Sequence, residues 1–295
     1  MAALSSRKVQ AGAGTCRIRI GTSGYSYAEW TAAGFYPPGT GSQRMLPLYT
    51  QRFGVTELNY TWYQMPKADA VARMAAKVPV DFAFAAKLTR TLTHEVDPNA
   101  WRAQVAQYRD GIAPLRQSGQ LLAVLAQWPP FFERTPANRR YLAELLDALE
   151  GLPVAVEFRH ASWAVDRVFA ELERRRVTLA AVDLPPLPGL FPALDVVTNP
   201  ALFYVRFHGR NARGWGSGHM QQQFDYDYSA AELAQWADQR IVPMARRVAA
   251  GAVFFNNHVR AQAPRNAETL VGLLAARGLK QFARNLSKSR QTCSL

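Results

Sequence analysis

Short apolar runs recur along this chain, each about the length of a buried strand. Eight stand out: "RIRIG" (17–21), "VTELN" (55–59), "FAFAAK" (82–87), "LLAVLAQ" (121–127), "VAVEFR" (154–159), "VTLAAVD" (177–183), "FYVRFHG" (203–209) and "AVFFNN" (252–257). Most are separated by stretches whose apolar residues return at helical spacing, among them 42–53, 101–117, 137–149 and 265–278. "SWAVDRVFAELERRR" predicts a helix before the sixth run, with Ser162 at its N-cap. The Pro-rich connection from 184 to 202 predicts no full helix. Strand and helix alternating without a compositional break predict a parallel sheet covered by helices. Eight strands in roughly 250 residues fit one closed (β/α)8 TIM barrel of the α/β class. An open doubly wound sheet is the alternative. Its glycine-rich phosphate loop has no counterpart in the early turn "GTSGYSYAEW", which holds neither GxGxxG nor a P-loop lysine.

The two-residue period of a strand sorts the ends of these runs. In the fifth, Ala155, Glu157 and Arg159 share a face opposite Val154, Val156 and Phe158, so the face with the small residue is expected to point into the barrel. In the same way Glu57 and Asn59 oppose Thr56 and Leu58, Lys87 follows Ala83 and Ala85, and Tyr204, Arg206 and His208 oppose Phe203, Val205 and Phe207. The fourth run ends in Gln127, the sixth in Asp183 and the eighth in Asn256 and Asn257, while the first runs on into Thr22 and Ser23. C-terminal strand ends converge on one mouth of a barrel, where such proteins place their chemistry. Glu57, Glu157 and Asp183 against Lys87, Arg159 and Arg206 could instead neutralise one another as a structural network. A core built for stability would use apolar residues, so the set points to a pocket.

Composition narrows the class without naming the function. At 48% hydrophobic residues the chain can bury a large core, and no apolar run approaches the ~18–20 residues of a membrane span. The first 16 residues lack the apolar centre of a signal peptide and read as a mobile tail before a barrel over 17–276. Cys16 and Cys293 lie near opposite ends, a usage that fits a cytoplasmic protein and leaves a terminus-to-terminus disulfide open. The net charge of +13 is uneven: residues 1–52 carry +5, residues 260–295 carry +6, and the 207 residues between them only +2. The excess therefore reads as basic ends, with 277–295 a tail for weak polyanion attraction, rather than a long nucleic-acid groove.

The sequence resembles the DUF72, or YecE-like, family of TIM-barrel proteins. The resemblance rests on "IGTSGYSYAEW" with "FYPP", "TELNYTWYQMP", "FAFAAKLTRTLTH", "LLAVLAQWPP", "VAVEFRHASW", "YVRFHGR" and "FFNNH…A…NA", in family order across about residues 18–275. It implies the barrel fold, and kinship to barrel nucleases and sugar-phosphate enzymes. Two positions depart from the family pattern: His258 stands where an acidic residue is usual, and Ala261 where a glycine is common.

Several chemistries are open to such a mouth. Glu57 and Glu157 could act as the carboxylate pair of a glycosidase. His94, His160 and His208 with Glu57, Glu157 and Asp183 could hold a divalent metal, although Lys87, Arg159 and Arg206 would repel it and no HxH or HExxH spacing occurs. No organic cofactor is expected. The mixture fits an anionic small molecule or nucleic-acid-derived ligand better: Arg159 and Arg206 as forked donors, Lys87 as a point charge, and Ser23, Asn59, Gln127, Asp183, Asn256 and Asn257 reading polar groups. Tyr25, Tyr27, Trp30, Tyr60, Tyr63, Trp128 and Trp163 are candidate stacking surfaces, Tyr63 and Trp163 foremost. For catalysis the expected groups are Glu57 or Glu157 as base and His208 as acid or electrostatic partner. An enzyme acting on a phosphorylated sugar, nucleotide or nucleic-acid-derived substrate is the leading reading, and a non-catalytic nucleic-acid binder the alternative.

Overall fold

All eight apolar runs become parallel strands, and they close on one another in chain order. The computed structural model describes residues 16–279. The strands are β1 (Arg17–Ser23), β2 (Val55–Leu58), β3 (Ala83–Lys87), β4 (Leu121–Gln127), β5 (Val154–Glu157), β6 (Thr178–Asp183), β7 (Leu202–Phe207) and β8 (Ala250–Phe255). Each pairs with its sequence neighbours and β8 pairs with β1, giving a closed (β/α)8 barrel. The tails expected at 1–16 and 277–295, and Cys293, lie outside the described residues apart from Cys16 and residues 277–279. No helix of the described residues is long and apolar enough to cross a membrane.

Alanine occupies most of the inward positions of the barrel. Ala83, Ala85, Ala123, Ala155, Ala180 and Ala252 surround the larger Leu125, Tyr204 and Phe254. Tyr204 and Phe254 pack with ring centroids 5.0 Å apart and fill the middle of the barrel below the mouth. The opposite face of each strand carries the bulk: Phe82, Phe84, Val124, Val156, Phe158, Phe203, Phe207 and Phe255 are buried beneath the helices. Each such large side chain, withdrawn from water, contributes about 1.5–3 kcal/mol.

The helices follow their apolar spacing. Trp101–Gln117 buries Trp101, Val105, Tyr108, Ile112 and Leu115, one stripe at i, i+4, i+7, i+11 and i+14. Pro136–Ala148 starts on Thr135, whose hydroxyl accepts from the Asn138 amide, with proline at the first helical position where its missing N–H costs nothing. The 184–202 connection contains no helix. One expected cap is different: the helix after β5 is Asp166–Arg175, with Val165 in the capping position. Ser162 instead sits in a short 3-10 turn, Ala161–Trp163, and its hydroxyl accepts from the Arg134 amide at 2.8 Å. His160 caps that turn, its Nδ1 accepting from the Ser162 amide.

Candidate functional site

Strand parity decides which polar groups meet. Residues in phase with the interior alanines continue the inward face past the end of each strand: Ser23, Glu57, Asn59, Lys87, Gln127, Glu157, Arg159, Arg206, His208 and Asn256. They converge above Tyr204. The structure brings these residues together at one end of the barrel.

Two carboxylates and two guanidiniums form the floor. Arg206 bridges both acids: its Nη1 donates to Glu157 Oε2 at 2.7 Å and its Nη2 to Glu57 Oε1 at 2.6 Å. Arg206 Nη2 also lies 3.2 Å from the Ser23 hydroxyl. Tyr204 donates its hydroxyl to the other Glu57 oxygen at 2.7 Å. Arg159 Nε donates to Glu157 Oε1. Burial alone would push the Glu157 carboxyl up, but Arg159, Arg206 and His208 outweigh it and hold the group well below the usual carboxylate range. Burial opposes the charge on Arg206, yet the two carboxylates raise its pKa above the ordinary arginine value. Ion pairs join the cluster, and Arg206 Nε alone of its guanidinium nitrogens is buried without a hydrogen-bond partner among the described residues.

His208 is fully buried and lines neither of the cavities at the mouth. Its surroundings assign the tautomer. Nε2 is 3.2 Å from Glu157 Oε1, an acceptor, and 3.3 and 3.4 Å from Arg159 Nη2 and Arg206 Nη1, so the Asn256 amide nitrogen, which can only donate to Nδ1, decides that Nε2 carries the hydrogen. Nδ1 then accepts from Asn256 Nδ2 at 3.1 Å and from Arg159 Nη2 at 3.3 Å. Burial and the Arg159 charge push the imidazolium down to about 3, so the ring is neutral at physiological pH. Its one proton is directed at Glu157. The geometry therefore makes His208 a strut for Glu157 and Arg159.

Lys87 differs from the two arginines. It lines a cavity of about 240 Å³ together with Asn59, Trp62, His94, Gln127, Arg159, Arg206 and Asn256. Its amine makes no hydrogen bond or ion pair to any described residue; its nearest described partner is the Trp62 ring, with the centroid 4.9 Å away. Burial, and next the Arg206 charge, push the amine down to about 7 against the pull of Glu57 and Glu157. His94 is held neutral by burial and by the Lys87 and Arg159 charges, its pKa pushed down to about 4. Trp62 Nε1, a donor only, lies 3.3 Å from His94 Nδ1, so the hydrogen of this ring is on Nε2.

A second cavity of about 450 Å³ adjoins the first across Asn59, Tyr63, Phe224 and Asn256. Its wall is aromatic: Tyr25, Tyr27, Tyr60, Phe224 and His258, with Glu57 at the bottom. Gly24, at φ +83°, turns the chain after β1 so that the Tyr27 hydroxyl returns to donate to the Ser23 carbonyl at 2.8 Å. His258 stacks on Tyr27 with ring centroids 4.7 Å apart and places Nδ1 3.3 Å from Glu29. Tyr63 and Met220 reach toward each other over the mouth, the tyrosine hydroxyl 3.6 Å from the methionine sulfur.

Three expected site residues lie elsewhere. Asp183 pairs in register with Phe207, on the outward face, and accepts from Arg210 Nε at 2.9 Å. Asn257 follows Phe255 on the same outward phase, and its amide bonds Asn266 and the Tyr226 carbonyl. Trp163 is buried behind the wall, stacked on Phe158 at 4.5 Å, its Nε1 donating to the Phe132 carbonyl at 2.7 Å. Trp30 and Trp128 are likewise fully buried. Sequence reasoning missed Trp62, Met220, Gln223 and Phe224, which line the mouth from one-turn helices, Tyr60–Tyr63 and Met220–Gln223 with Phe224 at its C-cap, too short to show a periodicity. For Trp62 the "NYTWYQ" cluster straight after β2 was the available signal.

Among the described residues no group of three or more His, Cys, Asp or Glu is arranged to hold a metal ion. The acids and His208 that were metal candidates are each bonded to arginine, and Asp183 and His160 lie away from them. The mouth has nitrogen cations where a metal site needs free lone pairs.

A closed parallel barrel with an ion-paired cluster at the C-terminal ends of its strands defines a TIM-barrel protein with a strand-end pocket. The chain belongs to the DUF72 family, described as a protein family of unknown function, whose model matches residues 19–291. It is 26% identical over 271 residues to the UPF0759 protein YunF of Bacillus subtilis, covering 87% of this chain and 94% of that one. Among solved structures it is similar to a DUF72 family protein of Thermotoga maritima, at 33% identity and TM-score 0.79 over 88% of this chain and 99% of that one. A DUF72 family protein of Enterococcus faecalis gives 26% identity and TM-score 0.79, covering 88% and 95% of the two chains.

Proposed function

We propose that the mouth binds a phosphorylated organic molecule, a sugar phosphate or a nucleotide, and that the protein is an enzyme acting on it. One observation carries the reading: the joined cavities have a cationic end and an aromatic end, with amides between them. The inner cluster sets Lys87, Arg159 and Arg206 against only Glu57 and Glu157, because Asp183 is taken by Arg210. The excess cation faces the cavity, and an oxyanion there would meet a forked guanidinium as well as a point charge. Asn59, Gln127 and Asn256 can then read hydroxyls, while Tyr25, Tyr60 and Phe224 flank a flat or sugar-like body.

The glycosidase reading loses support from the same geometry. Arg206 bridges Glu57 and Glu157, so neither carboxylate stands free on one side of a bond with the other opposite. Binding of a nucleic-acid end without catalysis stays as the second reading, favoured by the aromatic cavity. Thermal shift and calorimetry with inorganic phosphate, ribose 5-phosphate and a nucleoside monophosphate test the proposal. A ligand at a hundred times its Kd should add about 2.7 kcal/mol of stability. Arg159→Lys, which keeps the charge and loses the fork, should weaken that ligand. Failure of every phosphate to stabilise the protein at millimolar concentration would reject the reading, and a preference for single-stranded oligonucleotides over all monomers would favour the binder.

A further inference from the structure

We propose that Lys87 is a nucleophile, whose amine condenses with the carbonyl carbon of a phosphorylated aldehyde or ketone seated on Arg159 and Arg206. The inference rests on the oxyanion-binding reading and adds the reaction class.

Lys87 is set apart by what it lacks. The other two inner cations are ion-paired: Arg206 to both glutamates and Arg159 to Glu157. Asp183, the remaining acid at the strand ends, pairs with Arg210. Lys87 has no carboxylate partner among the described residues, yet it is largely enclosed at the wall of the smaller cavity. Two guanidiniums already supply fixed charge to an oxyanion. A third cation serving the same end would be expected to have its own counter-ion, as both arginines do. An enclosed amine beside two guanidiniums loses its proton readily instead, and a neutral amine has a lone pair. The Trp62 ring covers one side of the amine and limits its access to bulk water.

The condensation balances with the carbonyl compound alone. The nitrogen lone pair bonds to the carbonyl carbon, and the carbonyl π pair moves onto oxygen, which takes up a proton. The nitrogen of this carbinolamine gives up a proton, its lone pair forms the C=N bond, and the hydroxyl leaves with a proton as water. No atom is oxidised or reduced. His94 lines the same cavity with Nδ1 held by Trp62, leaving Nε2–H to hydrogen-bond the carbonyl oxygen.

The experiment uses the full chain with glycolaldehyde phosphate as probe and cyanoborohydride to reduce any imine, followed by intact mass and peptide mapping. Exposed Lys67 and Lys77 are internal references. Lys87 should be labelled at least about tenfold faster than either at neutral pH, because ordinary lysines are almost wholly protonated there. Inorganic phosphate should slow the labelling, and Lys87→Met should lose that adduct alone. If phosphate stabilises the protein while Lys87 is labelled no faster than the exposed lysines, the inference fails and the oxyanion reading stands. If phosphate neither stabilises the protein nor slows labelling, the seat on the arginines is wrong and both fail.

Discussion

The polar groups at the strand ends form two rings at the same height in the barrel, and the two behave differently. The inner ring, in phase with the interior alanines, gathers Glu57, Lys87, Glu157, Arg159, Arg206 and His208 into one cluster closed off from bulk water except at the cavity. The outer ring holds Asp183 and Asn257, each tied to a neighbouring loop or helix. Asp183 binds Arg210, which also reaches Glu232, and Asn257 binds Asn266. Outer groups are paired locally, so their charges cancel where they arise. Inner groups come from four different strands, β2, β3, β5 and β7, and are paired across the barrel, which leaves the Lys87 amine without a carboxylate and facing a cavity. The phase of a residue on its strand, more than its type, separates a fastening from a site.

The largest expected difference between the rings is in stability. Glu157→Gln removes the carboxylate shared by Arg159 and Arg206, both nearly without solvent, and should cost about 3–5 kcal/mol in urea unfolding. Asp183→Asn should cost less, about 1 kcal/mol, because Arg210 is partly exposed and keeps Glu232. Equal losses in the two variants would erase the distinction.

Acid sharpens it further. His208 is pushed down to about 3 in the folded protein, so the unfolded chain, with an ordinary value near ~6.5, takes up the proton first. Its share of stability is complete above ~6.5 and falls as pH drops from there toward 3, at a slope approaching about 1.4 kcal/mol per pH unit. Glu157, also depressed, adds its loss only below the unfolded carboxylate value of ~4.3. His94 and His258 are pushed down as well, so the measurement is the difference between the natural protein and His208→Asn from pH 8 to 5. Parallel stability curves for the two proteins would refute the assignment of His208 as a neutral strut.

Lys87 carries the same sign in a higher pH window. Its amine is pushed down from the ordinary lysine value to about 7, so the unfolded chain gains a proton as pH falls from ~10.4, and the folded protein is disfavoured at neutral pH. Lys87→Met should therefore raise stability by about 0.5–2 kcal/mol at pH 7 while weakening phosphate binding, the trade expected of a residue kept for a site. A loss of stability would mark Lys87 as a structural cation.

Strand phase also separates what was legible in the sequence from what was not. The barrel was readable because eight apolar runs and their helices repeat one pattern, and the inner ring because Ala83, Ala85, Ala155 and Ala252 mark the inward phase of their strands. Asp183 was misassigned for want of that step: Ala180 is inward, so a residue three positions on points out. Asn257 fails the same test against Phe254. Trp163 lies beyond the end of β5, where no period applies, and its stacking on Phe158 depends on a 3-10 turn. The order of charge pairing was not legible either, since a sequence does not show that Arg210 takes Asp183 and leaves Lys87 unpaired.

The smallest expected effect lies at the loop after β8, on the rim of the aromatic cavity. His258 and Ala261 are three residues apart there. Arg260 and Ala261 both adopt left-handed backbone, at φ +50° and +55°, before the last helix, Gln262–Ala275. An L-residue with a Cβ is disfavoured in that region by about 1–2 kcal/mol, which a glycine avoids. Ala261 is buried, so a glycine there also loses a methyl group from the core, worth about 0.8 kcal/mol, and gives the unfolded chain more freedom. Relief of the backbone strain outweighs these losses, and Ala261→Gly should stabilise the protein by a few tenths of a kcal/mol to about 1 kcal/mol. Phosphate binding should be unchanged, because this rim faces the aromatic cavity and not the cationic one. A clear fall in melting temperature would mean that the methyl group matters more than the backbone. A fall in phosphate affinity would mean that the two cavities share their loops more closely than the inner ring implies.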